Sequence, residues 1–178
     1  MRRDELEHLI RAAGGVLNES ALIVVGSQSI LGSYSTALPP EAVFSCEADF
    51  VLFEDATGKK ADLVDGTLGE QSPFHEMYGV YAHGVSMSTS RLPRGWKDRL
   101  VPMRTENTSG VTAYCLEVHD LLISKYLANR EKDHTFCRAV ARSGLVEANA
   151  LRDRLAETDC TEDERRRLSA AIQRDTLD

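Results

Sequence analysis

The sequence predicts an α+β fold in which a strand-bearing region is followed by a bundle of helices. Short runs rich in β-branched and aromatic residues, which are typical of strands, occur only before residue 116. From Glu117 onward, apolar residues recur at the spacing of helices. We therefore expect an αβ domain over residues 1–115 and a C-terminal helical region over residues 116–178.

The first part of the chain is expected to form a helix, a strand, a helical turn and a second strand. Ala21–Val25 is a run of five aliphatic residues closed by glycine, which predicts a buried strand, and residues 29–34 predict a short helix after it. Beyond a proline-broken connection, residues 46–54 predict the second strand. The first helix, over residues 2–17, is indicated by apolar residues at helical spacing: Leu6, Leu9, Ile10, Ala13 and Leu17.

The middle of the chain is less regular. Residues 54–79 are rich in turn-forming residues and predict a long, partly irregular surface segment. Residues 80–90 predict a third strand, and residues 111–117 predict a fourth. Between them, residues 91–104 carry five basic side chains around Trp96. This segment is either a solvated connection fixed by the tryptophan or a strip that follows phosphates.

The C-terminal region is expected to contain three helices. The first spans residues 117–144 and ends at a glycine. The second covers residues 145–157, and the third covers residues 161–175. Thr161 and Glu164 have the spacing of a capping box, which marks the beginning of the third helix.

The composition is that of an ordinary globular protein, with 42% hydrophobic residues, 28% charged residues and a mean hydropathy of -0.29. The longest aliphatic run has five residues, whereas roughly 18 are needed to cross a bilayer. We therefore expect no membrane association and a cytoplasmic location. A net charge of -7 disfavours a general nucleic-acid-binding surface.

The four cysteines contain no Cys-x-x-Cys pair, which argues against a disulfide framework and against a zinc ribbon. The spacings of the histidines match no zinc pattern. We therefore expect reduced thiols and no bound zinc.

A Gly-Ser turn follows the first predicted strand, and two carboxylates lie on the second. Gly26 and Ser27 would place backbone N–H groups, a hydroxyl and a helix N-terminus at one point, which suits a phosphate. Glu47 and Asp49 are two residues apart, so they point to the same face of their strand and can hold a divalent metal. Taken singly, a Gly-Ser pair is an ordinary turn, and acidic pairs often keep an edge strand soluble. The combination favours a site for metal-bound phosphate.

The segments VVGSQSILG and EADF resemble the nucleotidyltransferase fold that is shared with DNA polymerase beta. That superfamily has Gly-Ser on a strand-to-helix turn, followed by Asp/Glu-x-Asp/Glu on the next strand. Three further segments, SPFHEMYGVYAHGVS, LPRGWKDRLVP and LEVHDLLISKYLANREKD, are similar to an uncharacterised bacterial nucleotidyltransferase-like family related to abortive-infection-type toxins. The resemblance spans roughly residues 5–155 and implies a mixed sheet flanked by helices.

The resemblance also implies roles for individual residues. Gly26 and Ser27 would hold phosphate, while Glu47 and Asp49 would hold Mg²⁺ and take part in catalysis. Toxin-type relatives use a lysine and a Lys-Asp pair on a helix. Their counterparts here, expected to bind the nucleotide, are Lys125, Lys132 and Asp133.

The chain departs from the superfamily pattern at the acidic positions. Glu47 replaces the usual first aspartate, and nineteen residues separate Ser27 from Glu47, where toxin-type enzymes commonly have roughly half as many. A two-metal site also takes a third carboxylate from an adjacent strand. The third predicted strand offers only His83, so the candidate for this catalytic carboxylate is Asp62, with Asp65 as the alternative.

The role of Lys125 stays open from the residues alone. A lysine within an apolar stripe either extends along it to solvent or reaches a buried anion. Asp133 orients Lys132, joins the metal site or pairs with Arg130. On one continuous helix four residues would share a face: Lys125, Asn129, Lys132 and Phe136.

The resemblance implies a Mg²⁺-dependent protein that binds a nucleoside triphosphate and transfers a nucleotidyl group to a hydroxyl of RNA, a protein or a small molecule. A toxin of a toxin–antitoxin system would have a cognate antitoxin protein as its partner. The rival hypothesis is a non-catalytic nucleotide-binding or protein-interaction module that kept the fold and lost the third acid.

Overall fold

The computed structural model describes residues 1–177, and within that range the chain forms five strands and nine α-helices. The predicted α+β class is therefore confirmed. The strands are β1 (Ala21–Val25), β2 (Glu47–Val51), β3 (Tyr81–Gly84), β4 (Val101–Met103) and β5 (Thr112–Cys115). The helices are α1 (Arg3–Leu17), α2 (Ile30–Ser33), α3 (Pro40–Val43), α4 (Lys59–Leu68), α5 (Pro73–Tyr78), α6 (Val118–Ala128), α7 (Glu131–Arg142), α8 (Ala148–Ala156) and α9 (Glu162–Asp175).

The strands form one mixed sheet in the order β3-β2-β1-β5-β4. β1 is antiparallel to β2 and parallel to β5, while β3 is parallel to β2 and β4 is antiparallel to β5. The register places Val25 opposite Asp49, and Asp49 opposite His83. Because directly opposite residues share a face of the sheet, the end of β1 and the acids of β2 lie beside the histidine of β3.

The core surrounds the central strand and continues under the helices on its flanks. Leu22 and Val24 of β1 are buried, as are Leu6 and Leu9 of α1. α4 packs against both α1 and β3. The approach of α4 to β3 is close, because a Cβ at Gly84 would lie 2.4 Å from the Cα of its α4 neighbour.

The C-terminal helices are organised around α6, which contacts α7, α8 and α9. Asp120 of α6 is fully buried and accepts two hydrogen bonds from Arg99, each 2.9 Å long. It also pairs with Arg154 of α8 at 3.2 Å. These ion pairs connect the segment before β4 to the helical region. The predicted boundary at residue 115 falls between β5 and α6, and buried apolar side chains on both sides of it belong to one core.

The segment over residues 54–79 is partly irregular and mostly exposed, as predicted, but it also contains two helices that the prediction lacks, α4 and α5. Only Val64 and Leu68 of α4 are buried, so its apolar face is too narrow to give a clear periodic pattern. α5 buries no residue at all; it begins after Ser72, whose hydroxyl accepts a hydrogen bond from the backbone N–H of His75. Turn-forming residues at the ends of these two helices made the whole segment resemble a loop in the sequence.

The prediction of one continuous helix over residues 117–144 is wrong. Asn129 adopts a left-handed conformation with φ of 56°, which ends α6, and α7 begins at Glu131. The predicted helical face that runs through this point therefore does not exist as one helix. Asparagine tolerates the left-handed region better than most residues, and this signal marks the break.

Two strands differ from the prediction in extent. The third is limited to β3, and a single helical turn at residues 87–89 follows it. β4 was not predicted; it has three residues, includes Pro102, and pairs at the sheet edge with β5. A short edge strand with proline carries little sequence signal.

Two arginines of the basic segment over residues 91–104 are paired with acids of the C-terminal helices. Arg91 forms two hydrogen bonds with Glu164 of α9, 2.7 and 3.1 Å long, and Arg99 is held by Asp120. Trp96 is half-buried against the core. The predicted capping box of Thr161 with Glu164 is confirmed. Within residues 1–177, no helix combines the length and the apolar character needed to span a membrane.

Candidate functional site

The end of β1 makes a tight turn at Gly26, whose φ is 66° and ψ is -166°. This conformation is open essentially only to glycine. The backbone N–H and the hydroxyl of Ser29 both donate to the carbonyl oxygen of Gly26, at 3.2 and 2.8 Å. A Cβ at position 26 would lie 2.0 Å from Oδ2 of Asp49. Glycine is therefore needed both for the turn and for the approach of the carboxylate to the backbone.

The two acids of β2 meet the histidine of β3. Glu47 and Asp49 lie on one face of the strand, and the register brings His83 next to Asp49. Nδ1 of His83 lies 2.9 Å from Oε1 of Glu47. One ligand atom from each of the three residues can be chosen so that all lie within 4.8 Å of one another.

This donor set fits a divalent metal ion. Carboxylate oxygens suit Mg²⁺ and Mn²⁺, and an imidazole nitrogen is also accepted by Mn²⁺ and Zn²⁺. In the part of the chain that the structure describes, this is the one group of three or more side chains with that capability. Its third member is an imidazole where a two-metal site would have a carboxylate.

The carboxyl group of Asp49 is difficult to ionise without a cation. Burial and the neighbouring charge of Glu47 raise its pKa to about 6, although His83, Lys125 and Lys132 act in the opposite direction. A buried carboxyl next to another acid is a common arrangement where a metal ion supplies the missing positive charge. The raised pKa thus agrees with the metal-binding geometry.

A pocket of about 440 Å³ opens over the Gly26 turn and the acids; we call it the turn pocket. Its size falls in the usual range for small-molecule sites. It brings together seven of the eight residues that the sequence analysis selects. These are Gly26, Ser27, Glu47, Asp49, Lys125, Lys132 and Asp133.

The two predicted lysines of the turn pocket differ in their surroundings. Nζ of Lys125 lies 3.1 Å from Oδ1 of Asp133 and 4.6 Å from the ring centre of Phe136. Arg130 also donates to Asp133, at 2.6 and 3.2 Å. Burial raises the pKa of Asp133, but the hydrogen bonds from Arg130 and Lys125 outweigh it and hold that pKa below its ordinary value. Lys125 therefore reaches a buried anion that belongs to the protein itself, whereas Lys132 is exposed.

A second pocket of about 260 Å³ is also lined by Asp49; we call it the helix pocket because Ser124 and Lys125 of α6 line it. Gly26, Asp49, Lys125 and Arg130 line both pockets. Two hollows therefore meet at the same carboxylate.

The structure does not bring Asp62 into the acidic group. Asp62 has an exposed side chain in the first turn of α4. Asp65, the alternative, accepts a hydrogen bond of 2.7 Å from the backbone N–H of Gly84 and thereby fixes the end of β3. The spacing of the histidines did not identify His83 as a member of this group, because its position depends on the pairing of β2 with β3. Its place on the strand next to the acids was the available signal.

A mixed sheet with a Gly-Ser turn beside two carboxylates on the adjacent strand defines a nucleotidyltransferase-like protein. Residues 4–175 match the model of a family described as a nucleotidyltransferase of unknown function, DUF6036. The chain belongs to this family. No curated protein and no solved structure shows a significant match to this chain.

Proposed function

We propose that the protein binds a nucleoside triphosphate together with a divalent metal ion, expected to be Mg²⁺, and transfers a nucleotidyl group to a hydroxyl of RNA, a protein or a small molecule. The observation that carries this proposal is the contact of the Gly26 backbone with Asp49, next to Glu47 and His83. It combines a phosphate-binding turn with a metal-binding group. Family membership supports the same reaction class.

Different residues of the turn pocket bind different parts of the metal-bound nucleotide. The Ser27 hydroxyl and the backbone amides of the turn contact phosphate oxygens. Glu47 and Asp49 hold the metal, and His83 either joins them or orients Glu47. When bound, the metal ion would neutralise phosphate charge. Lys132 is exposed at the same pocket and contacts the outer phosphates.

Thermal unfolding with a panel of nucleotides tests the binding claim. With NTP and Mg²⁺ or Mn²⁺ together, the melting temperature should rise by about 5–10 °C at a ligand concentration about a hundred times Kd. NTP alone or metal alone should change the melting temperature little, because the phosphate oxygens complete the coordination of the metal ion and the metal ion offsets the phosphate charge. Asp49→Asn should remove the metal dependence. No shift with any NTP and metal would contradict the proposal.

A second candidate is a non-catalytic nucleotide-binding or protein-interaction module. The observation that favours it is that the third member of the acidic group is His83, which contacts Glu47, and not a carboxylate. Labelled NTP incubated with cellular RNA and protein separates the two. Transfer of label that is lost in Asp49→Asn identifies a transferase, whereas binding without transfer identifies the module.

For the biological role, we propose a toxin controlled by an antitoxin protein, supported by the family resemblance of the sequence alone. Induced expression in a bacterial host should then arrest growth. Asp49→Asn, expressed to the same level, should not. Equal growth of both strains would reject this role without affecting the binding claim.

A further inference from the structure

We propose that Phe44 is the platform on which the base of the bound nucleotide stacks, so that the turn pocket accepts nucleotides with a preference for purines. This inference rests on the proposed function, and it assigns a role to a residue outside the Gly-Ser turn and the acidic group. Phe44 lies in the segment of nineteen residues between Ser27 and Glu47.

Phe44 is an exposed aromatic residue at a polar site. Its side chain is 91% exposed, the highest value among the large hydrophobic residues that are exposed in the described part of the chain. Single exposed apolar residues are common and need no explanation by themselves. Phe44, however, lines the same pocket as Ser27, Glu47 and Asp49. Its exposure therefore occurs at the place where a ligand would cover it.

The backbone holds Phe44 at the rim of the pocket. It follows α3 directly, and Pro40 occupies the first turn of that helix. α3 packs against α7. The proline restricts the backbone, and the helix contact fixes the direction in which the chain enters β2. The backbone that carries Phe44 is therefore held in place before a base binds, which lowers the entropic cost of binding.

The apolar surface continues beyond Phe44. A neighbouring hollow of about 570 Å³ between α3 and α7 is also lined by Phe44, together with Pro40 and Phe136 and with four polar side chains: Glu41, Glu131, Lys132 and Thr135. The turn pocket therefore combines the two acids with the aromatic surfaces of Phe44 and Phe136. A nucleoside triphosphate likewise combines phosphates at one end with a flat base at the other.

Stacking on Phe44 also predicts how the site distinguishes bases. Stacking accepts every base, since each has a π-face, and differences arise from the strength of stacking. Purines offer the larger ring system. We therefore expect ATP and GTP to bind more tightly than CTP and UTP, with weak discrimination inside each pair.

Calorimetric titration of ATP and of inorganic tripolyphosphate, both with Mg²⁺, tests the inference. The wild-type chain should bind ATP more tightly than tripolyphosphate. Phe44→Ala should weaken ATP binding about tenfold and leave tripolyphosphate binding unchanged. Phe44→Trp should restore ATP binding. The matched control is Met77→Ala, which truncates another exposed apolar side chain, 73% exposed and outside the turn pocket.

Each alternative outcome has a defined meaning. If Phe44→Ala binds ATP as the wild type does, the stacking inference is overturned while the proposed function survives. An equal loss of ATP and tripolyphosphate would assign Phe44 to the shape of the pocket and also overturn it. If the wild type binds neither ligand, both the inference and the proposed function fail.

Discussion

At the scale of single residues, the site depends on the absence of a Cβ at position 26. Gly26 allows Asp49 to lie against the backbone, where a Cβ would be 2.0 Å from the carboxylate oxygen. The side chain of Asp49 cannot move far without leaving Glu47 and His83. A small change at position 26 should therefore affect a residue on another strand.

Gly26→Ala should abolish metal-dependent NTP binding and lower the free energy of unfolding by about 1–3 kcal/mol, because it adds a clash to an unfavourable backbone conformation. Titration calorimetry and urea denaturation measure the two effects. Gly79→Ala is the control, since Gly79 also has a positive φ of 72° but no atom within 4 Å of an added Cβ. It should lose stability and keep binding. NTP binding by Gly26→Ala at the wild-type level would contradict the role of this turn.

Asp49 should make the stability of the metal-free protein depend on pH. Its pKa is raised from 3.8 to about 6, so the folded state holds this proton more tightly than the unfolded state does. The free energy of unfolding should therefore fall as pH rises from about 4 to about 6.5, by up to about 3 kcal/mol from this group. Denaturation in a chelator across this range measures it.

The comparison with Asp49→Asn isolates this contribution from that of other titrating groups. The difference between the two pH profiles should flatten above about pH 6.5, where Asp49 is ionised. Added Mg²⁺ should stabilise the wild type at the high end of the range, since the ion favours the ionised carboxylate. Parallel profiles for the two proteins would show that Asp49 has no raised pKa.

At the scale of elements, strong hydrophobic periodicity and short-range sequence motifs are sufficient to predict much of the fold. The aliphatic run of β1 and the apolar spacing of α1 predicted both elements, and the capping box predicted the beginning of α9. α4 and α5 were missed because few of their residues are buried. The break between α6 and α7 was missed because a single left-handed asparagine produces it.

Lys125 shows how the break changes a residue's role. On one continuous helix its side chain would follow an apolar stripe. Across two helices it contacts Asp133, which is buried, and so joins α6 to α7. The sequence left this alternative open, but only the tertiary contact decides it.

Lys125→Met should lower the free energy of unfolding by about 2–3 kcal/mol, because it leaves the buried Asp133 carboxylate with Arg130 as its remaining ion-pair partner. A double-mutant cycle with Asp133→Asn, followed by urea denaturation, measures the coupling. The double variant should be more stable than the sum of the single losses predicts. Lys132→Met is the exposed control and should change stability by at most about 0.5 kcal/mol. Strict additivity would exclude a coupled pair.

At the scale of the whole molecule, the sheet and the C-terminal helices depend on each other. α6 contacts α2 and the turn after Gly26, and its Asp120 fixes Arg99 before β4. Leu121 and Leu122 belong to the same core as the strands. The division at residue 115 was predicted from a change of pattern along the chain, and a pattern does not show which surfaces are shared.

A fragment of residues 1–116 should therefore show no cooperative unfolding transition on its own. Removal of α6 would expose the apolar side chains that it covers and leave Arg99 without its carboxylate partner. Circular dichroism during urea denaturation, compared with the full chain, measures this. A cooperative transition in the fragment would establish residues 1–116 as an independent domain.

The sequence predicts those residues of the candidate site that lie in local motifs. It does not predict those that the pairing of two strands brings together. Gly26, Ser27, Glu47 and Asp49 follow from a turn and an alternating strand. His83 depends on the register of β2 with β3. Asp62 was chosen because an acid was required and the adjacent strand had none; its helix instead exposes it to solvent.

The contact between Gly26 and Asp49 also has an evolutionary consequence. Two positions that share one volume cannot vary independently, so the effect of a mutation at one depends on the residue at the other. An alanine at position 26 would meet the carboxylate oxygen of Asp49, so a smaller residue at position 49 would relieve the clash but not the strain of the turn. Among descendants of this chain the two positions should therefore covary, and a side chain at position 26 should occur together with loss of the acid at position 49.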